Sequence, residues 1–265
     1  MTQILQTELS FAPWADPRTR RLPGVVPVTM DDWLEVDTAF AGQMALRDQL
    51  IAEKPQEVLA LHDSARPAAE ELYQTVLAQL PALGYRLEPD RVLRPDGVWT
   101  PLDPAQPLAT LGRLVQCDLC LMQPDPTGGT SESVLTGGVL CFPSGWRLAQ
   151  KFMMPMIRIH LPIEKYTPDL AMRVQRLLDG VQVGRGLMRG TASQSDAPLA
   201  DPRSEGDLVH GTRGSRFIRV ERQCLIRLPE TRAVVFSIHT QIIEPSALTP
   251  EQAAALEEFP IRLAD

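Results

Sequence analysis

The sequence predicts an α+β chain in which helices frame an antiparallel sheet. Two observations carry this reading. Helical segments framed by caps and prolines occupy the first third and the C-terminal end, and strand-like runs joined by turn signals fill the middle. Neither an internal repeat nor a composition boundary divides the chain. It therefore reads as an N-terminal arm over residues 1–28 followed by one domain over residues 29–265. In the arm, Pro13, Pro17, Pro23 and Pro27 forbid a long regular element. Thr29 is expected to cap a first helix running to about Ile51, with Asp31 and Asp32 in its first turn. Pro67 opens a second helix that runs to Leu80, and Pro81 stops it. Residues 81–110 read as loops with one hairpin around Pro95-Asp96-Gly97. Leu111–Met122 and Ser133–Phe142 read as strands flanking the turn-rich run from Gln123 to Thr130. Thr167-Pro168 starts a third helix through Leu178, and the Gly-, Ser- and Arg-rich residues 184–215 are expected to form a long loop. Phe217–Leu228 and Ala233–Ile243 form a hairpin around Pro229–Arg232, and Thr249-Pro250 caps a last helix.

Composition excludes more than it assigns. The 265 residues carry 26 basic and 33 acidic side chains, a net charge of −7, and aromatics make up only 5%. A general nucleic-acid binder needs a clustered basic face and stacking platforms, and both are scarce here. The sequence contains no asparagine, which excludes N-glycosylation. The first residues lack the basic and apolar regions of a signal peptide, and no stretch reaches the ~20 apolar residues of a membrane span. A cytoplasmic location with reduced thiols is the expectation. Cys117 and Cys120 have C-x-x-C spacing, but on a strand they face opposite sides. No second pair completes a zinc site, so free buried cysteines are expected.

Gly184-Arg-Gly-Leu-Met-Arg-Gly190 has the wrong spacing for a dinucleotide loop and follows a helix instead of a strand. Ser144 and Ser215 lack a nucleophile-elbow context. Four histidines are present, with no H-x-x-x-H pair. His62 and His210 fall in polar connections, and His239 alternates within a strand as a packing residue. His160 ends Phe152-Met-Met-Pro-Met-Ile-Arg-Ile-His160, after Trp146 and Lys151. A neutral imidazole in so apolar a setting suits an axial haem ligand, and it equally suits a core histidine bonded to a carbonyl. In Phe217–Pro229, alternation sets Arg219, Glu221 and Gln223 on one face and Val220, Arg222 and Cys224 on the other. Glu221 can hold Arg219. Arg222, on the more apolar face, requires an anion such as a propionate or carboxylate, or else belongs to a cross-strand ion-pair ladder.

Several segments, in order across residues 25–245, resemble the haem-dependent oxidative N-demethylase alpha-subunit family. They are Thr29-Met-Asp-Asp-Trp-Leu-Glu-Val-Asp37, Leu114–Met122, Cys141-Phe-Pro-Ser-Gly-Trp146 with Lys151 and Ile159-His160, and Arg219-Val-Glu-Arg-Gln223 through Leu228-Pro229 and Val235-Phe236. The resemblance implies a PAS-like sheet holding haem b. It also implies O2-dependent demethylation of a small secondary amine such as dimethylamine to formaldehyde. Electrons would come from NADPH through flavin and iron–sulfur partner subunits. His160 matches the motif histidine and is the implied iron ligand. Arg222, Arg219 and Lys151 are implied as propionate or cavity charges, with Trp146 beside them.

The sequence departs from the family pattern at four places. Cys117 replaces an acidic residue, Phe152-Met153 follows Lys151, Leu161-Pro-Ile163 follows the histidine, and Arg189-Gly-Thr-Ala192 replaces an arginine–x–asparagine–tryptophan stretch. These changes bear on the substrate and distal pocket. A non-catalytic haem or small-ligand sensor on the same scaffold, or a relative whose pocket has closed, stands as an alternative to the enzyme.

Overall fold

A computed structural model describes residues 3–21, 23–160, 167–196, 199 and 214–261. In chain order the elements are β1 Val26–Val28, α1 Phe40–Glu53, α2 Pro55–Val58, β2 Leu59–Leu61, α3 Arg66–Gln79, β3 Arg86–Leu87, β4 Arg91–Leu93, β5 Trp99–Pro101 and α4 Pro107–Gly112. They continue with β6 Asp118–Pro124, β7 Ser133–Val139, α5 Leu148–Lys151, α6 Met156–Ile159, α7 Pro168–Gly180, β8 Gly186–Ser195, β9 Phe217–Arg227, β10 Val234–Ile243 and α8 Pro250–Glu258. Seven strands form one sheet in the order β1-β8-β9-β10-β6-β7-β2, every neighbouring pair antiparallel. Strands β3, β4 and β5 form a separate small sheet. The α+β reading holds: one large antiparallel sheet is framed by helices.

Side-chain alternation divides the sheet into two covered faces. Leu119, Leu121, Cys224, Ile226 and Val235 point into the larger core, against Met44 and Leu50 of α1, Leu72 and Val76 of α3, and Leu111 of α4. Cys120, Met122, Leu135, Val234 and Ile238 point the other way, against Leu148 of α5, Met156 of α6 and Leu178 of α7. Leu9, Ala12 and Trp14 of the arm complete a third cluster with Ile218, Val220 and Ile243, flanked by α8. Among the described residues, no helix is long and apolar enough to cross a membrane.

Three elements differ from the sequence expectation. The first long helix begins at Phe40, not after Thr29. Trp33 and Leu34 are drawn into the core, with Trp33 Nε1 donating to Ser237 Oγ at 2.9 Å, so the chain must run inward before it can turn helically. Asp37 then starts the helix by accepting from the Ala39 N–H. The strand expected from Leu111 begins only at Asp118, because Leu111 lies in α4. That helix lies so close to the sheet that a Cβ on Gly112 would meet Val139 at 2.6 Å. The expected loop over 184–215 contains the ten-residue strand β8. Ladder pairing with β1 and β9 holds β8 in place without an apolar face, which is why its polar composition reads as loop. His210 and Leu161–Ile163 lie outside the described residues.

Candidate functional site

The antiparallel register builds a polar floor. Directly opposed residues share a face, so Arg189, Thr191 and Ser193 of β8 line up with Gln223, Glu221 and Arg219 of β9. Thr240 of β10 pairs with Glu221 on that same face. Glu221 organises the floor. One of its carboxylate oxygens accepts from Arg219 Nε and Nη2 at 3.0 and 2.9 Å, and the other accepts from Gln223 at 2.9 Å. Arg219 also donates to the Phe142 carbonyl at 2.6 Å and to Thr240 Oγ1 at 3.2 Å, which ties the floor to the loop after β7. Toward β6 the same face turns apolar, through Leu225, Phe236 and Ile238, with Trp146 and Ile159 packed beside them.

His160 stands at the end of α6, half-buried. Its Nδ1 lies 2.9 Å from the Met156 carbonyl. A carbonyl only accepts, so Nδ1 carries the proton and Nε2 the lone pair. Burial pushes the imidazole below its ordinary pKa, the nearby charges of Lys151 and Arg189 push the same way, and the Met156 bond opposes them in part. The ring is therefore neutral near pH 7. Lys151 donates to the Ile159 carbonyl at 2.5 Å and lies 5.4 Å from the Trp146 ring, binding α5, α6 and the Trp146 loop into one wall.

Arg189 has an unusual environment. Burial pushes its guanidinium down from its ordinary value, the Glu221 charge only partly restores it, and its buried Nε has no hydrogen-bond partner among the described residues. A half-buried, under-satisfied cation facing a half-apolar floor is a place for an anion.

Of the residues expected to act, Trp146, Lys151 and His160 are brought together, and Arg219 reaches the same loop through Phe142. Arg222 is not. It lies on the opposite face, with Nη1 donating to the Trp33 carbonyl at 2.8 Å, Nη2 donating to the Asp32 carbonyl, and Nε 3.1 Å from Glu35. The anion its buried position demands is Glu35 of this chain. Arg219, Glu221 and Gln223 share one face as the alternation predicts, and Arg189 and Thr240 complete the floor, which the sequence reading did not assemble. The polar alternation Arg189-x-Thr191-x-Ser193 was the available signal.

Haem is the group these residues can be tested against. Its macrocycle needs apolar walls, its propionates need cations, and its iron needs a neutral imidazole whose other nitrogen is held. The Leu225–Phe236–Trp146 end, the orphaned Arg189 nitrogen and the Nδ1-bonded His160 meet those three needs. The residues fit the group.

A family model described as "Haem-dependent oxidative N-demethylase, alpha subunit-like" matches residues 24–259. The chain belongs to that family. This haem-dependent oxidative N-demethylase alpha-subunit-like chain carries its matched region through every strand of the large sheet. No curated protein matches it. A hollow of about 220 Å³, lined by Met122, Gln175, Arg227 and Thr231, does not include His160 and is smaller than the ~300 Å³ at the lower end for small-molecule pockets.

Proposed function

We propose that the chain is the haem-binding subunit of an O2-dependent oxidative N-demethylase acting on a small secondary amine of the dimethylamine kind. In this reading the single domain over 29–265 is a PAS-like scaffold with the arm 1–28 wrapped on it, working in the cytoplasm. His160 holds the iron of haem b through Nε2. The Met156 carbonyl fixes the tautomer and keeps the ring oriented, and burial keeps it neutral and able to donate its lone pair. Arg189 and Arg219 receive the propionates, Glu221 holds Arg219 at its angle, and Lys151 with Trp146 closes the wall nearest the histidine. When bound, haem supplies the activation of dioxygen, and the apolar end of the floor keeps water from the reacting amine. An alpha subunit implies other subunits. NADPH oxidation through a flavin and iron–sulfur partner is the electron source assigned here. Arg222, bonded to Glu35, contributes to the sheet's packing and not to cofactor charge.

The observation that carries the proposal is His160 with its tautomer set by Met156, beside Lys151, Trp146 and the under-satisfied Arg189. The test is to load the protein with hemin, add dimethylamine under reducing conditions with a flavin/iron–sulfur reductase, and trap formaldehyde. Formaldehyde that depends on oxygen, haem and His160 supports the enzyme. A haem spectrum that responds to amine with no formaldehyde supports a sensor on the same scaffold instead.

A further inference from the structure

Behind the floor, on the opposite face of β10, a second constellation stands apart from the haem site. His239 Nε2 lies 2.8 Å from Asp37 Oδ2, and His239 Nδ1 lies 3.6 Å from Cys117 Sγ. Cys117 and His239 are each only 1% exposed. Four further donors hold Asp37 as a carboxylate: the side-chain amides of Gln6, Gln116 and Gln241, and the Ala39 N–H. A carboxylate so placed fixes the proton on Nε2, so Nδ1 and Sγ share one proton between them. This is a nucleophile, a base and a group that orients the base, in order.

The other three cysteines are just as buried, and burial pushes their thiols up, Cys141 and Cys224 to about 12 and Cys120 likewise upward. What distinguishes Cys117 is its imidazole, not its exposure. Two buried polar atoms beside the triad have no partner among the described residues. One is the acceptor Gln241 Oε1, whose own amide nitrogen bonds Asp37. The other is the donor Nη2 of Arg47, whose Nη1 bonds the carbonyl of Gln116, next to Cys117. Each is a place where a small polar molecule would gain a hydrogen bond. The cover over the triad is the N-terminal arm. Gln6 bonds both the N–H and the carbonyl of Ile242 as well as Asp37, which ties the arm down at the Asp37 end of the triad.

We propose that Cys117, His239 and Asp37 form a peroxide-reactive thiol site, in which the Cys117 sulfur passes its proton to His239 Nδ1 and reduces hydrogen peroxide. The Cys117 sulfur attacks one peroxide oxygen; an S–O bond forms and the O–O bond breaks. Sulfur gives up two electrons and peroxide takes them. The departing hydroxide takes the Nδ1 proton of His239 and leaves as water. Cys117 ends as a sulfenic acid and His239 as a neutral ring. The Arg47 guanidinium, paired with Asp118, lies close enough to Cys117 for the two to interact through charge. None of this depends on haem.

The test treats the whole protein with hydrogen peroxide, quenches it, and counts oxidation at each cysteine by peptide mass spectrometry. Cys117 is expected to oxidise about tenfold or more faster than Cys120, Cys141 and Cys224, because among the described residues it is the cysteine with an imidazole beside its sulfur. In His239→Gln its rate should fall to theirs. The comparison among the four cysteines is made in the unaltered protein and stands even if the variant folds poorly. Oxidation of all four at one rate, or of Cys117 no faster than the rest, would overturn the proposal.

Discussion

Replacing Asp118 by asparagine removes the charge that neutralises Arg47 in the core and holds the start of the loop after β7. Asp118 is fully buried and pairs with Arg47 at 2.7 Å, the two side chains 1% and 0% exposed. Its Oδ1 also accepts from the Cys141 N–H at 2.7 Å and its Oδ2 from the Phe142 N–H at 2.8 Å. Arg47 further donates to the carbonyls of Gly112 and Gln116. In Asp118→Asn, one carboxylate oxygen becomes an amide that has no acceptor to face: it meets either the Phe142 N–H or the Arg47 and Cys141 donors. Arg47 is left charged in the core. Breaking a buried pair by removing one partner costs about 3–5 kcal/mol. Because asparagine keeps one oxygen, the lower end, about 3 kcal/mol, is expected, a large part of the ~5–15 kcal/mol that holds a domain together. At ~2–4 °C per kcal/mol for a chain of this size, the thermal midpoint should fall by about 10 °C. Thermal unfolding followed by circular dichroism measures the midpoint, and urea unfolding measures the free energy. The double variant with Arg47→Met should cost less than the sum of the singles, by about 1 kcal/mol or more, since the uncompensated cation is gone. A loss below about 1 kcal/mol in Asp118→Asn, or strict additivity in the double variant, would refute this reasoning.

Two further perturbations probe the same structure. Burial lowers the affinity of His239 for its proton, but its bonds to Asp37 and Cys117 outweigh that and raise it to about 10. A group raised in the folded state stabilises fully below its unfolded pKa of about 6.5 and loses that contribution as pH climbs through about 10. The urea midpoint should therefore decline between pH 6.5 and 10, with a flatter profile in His239→Gln; equal slopes in the two proteins would refute the assignment. Gly190 faces the arm, where an added Cβ would lie 2.2 Å from the Phe11 ring and 2.6 Å from Pro13. Gly190→Ala should cost about 1–3 kcal/mol and speed proteolysis within residues 3–20, whereas unchanged cleavage would show that the arm is not held there.

The parts legible in the sequence were those with local causes. The β9–β10 hairpin and its face assignment followed from strict alternation, and the Asp96-Gly97 hairpin from turn chemistry. The capped starts of α7 and α8 followed from Thr167 and Thr249, whose side chains accept from the third residue on. Long-range causes stayed hidden. Strand β8 has no apolar face because one side lies under the arm and the other forms the polar floor, so only its pairing with β9 reveals it. The delayed start of α1 depends on Trp33 finding Ser237 more than 200 positions away. His160, Lys151 and Trp146 could be singled out from one short segment, whereas Arg189 and the Cys117–His239–Asp37 line are assembled only by the sheet. The need of Arg222 for an anion was legible, but which anion was not: Glu35 lies in the segment before α1.

The central claim is that His160 carries haem iron on this floor, and the most direct measurement is an absorption spectrum of the purified protein titrated with hemin, before and after dithionite. Stoichiometric uptake is expected, with a Soret band that shifts on reduction and that is lost or displaced in His160→Ala with the fold intact. Absence of uptake, or a spectrum unchanged by His160→Ala, would contradict it.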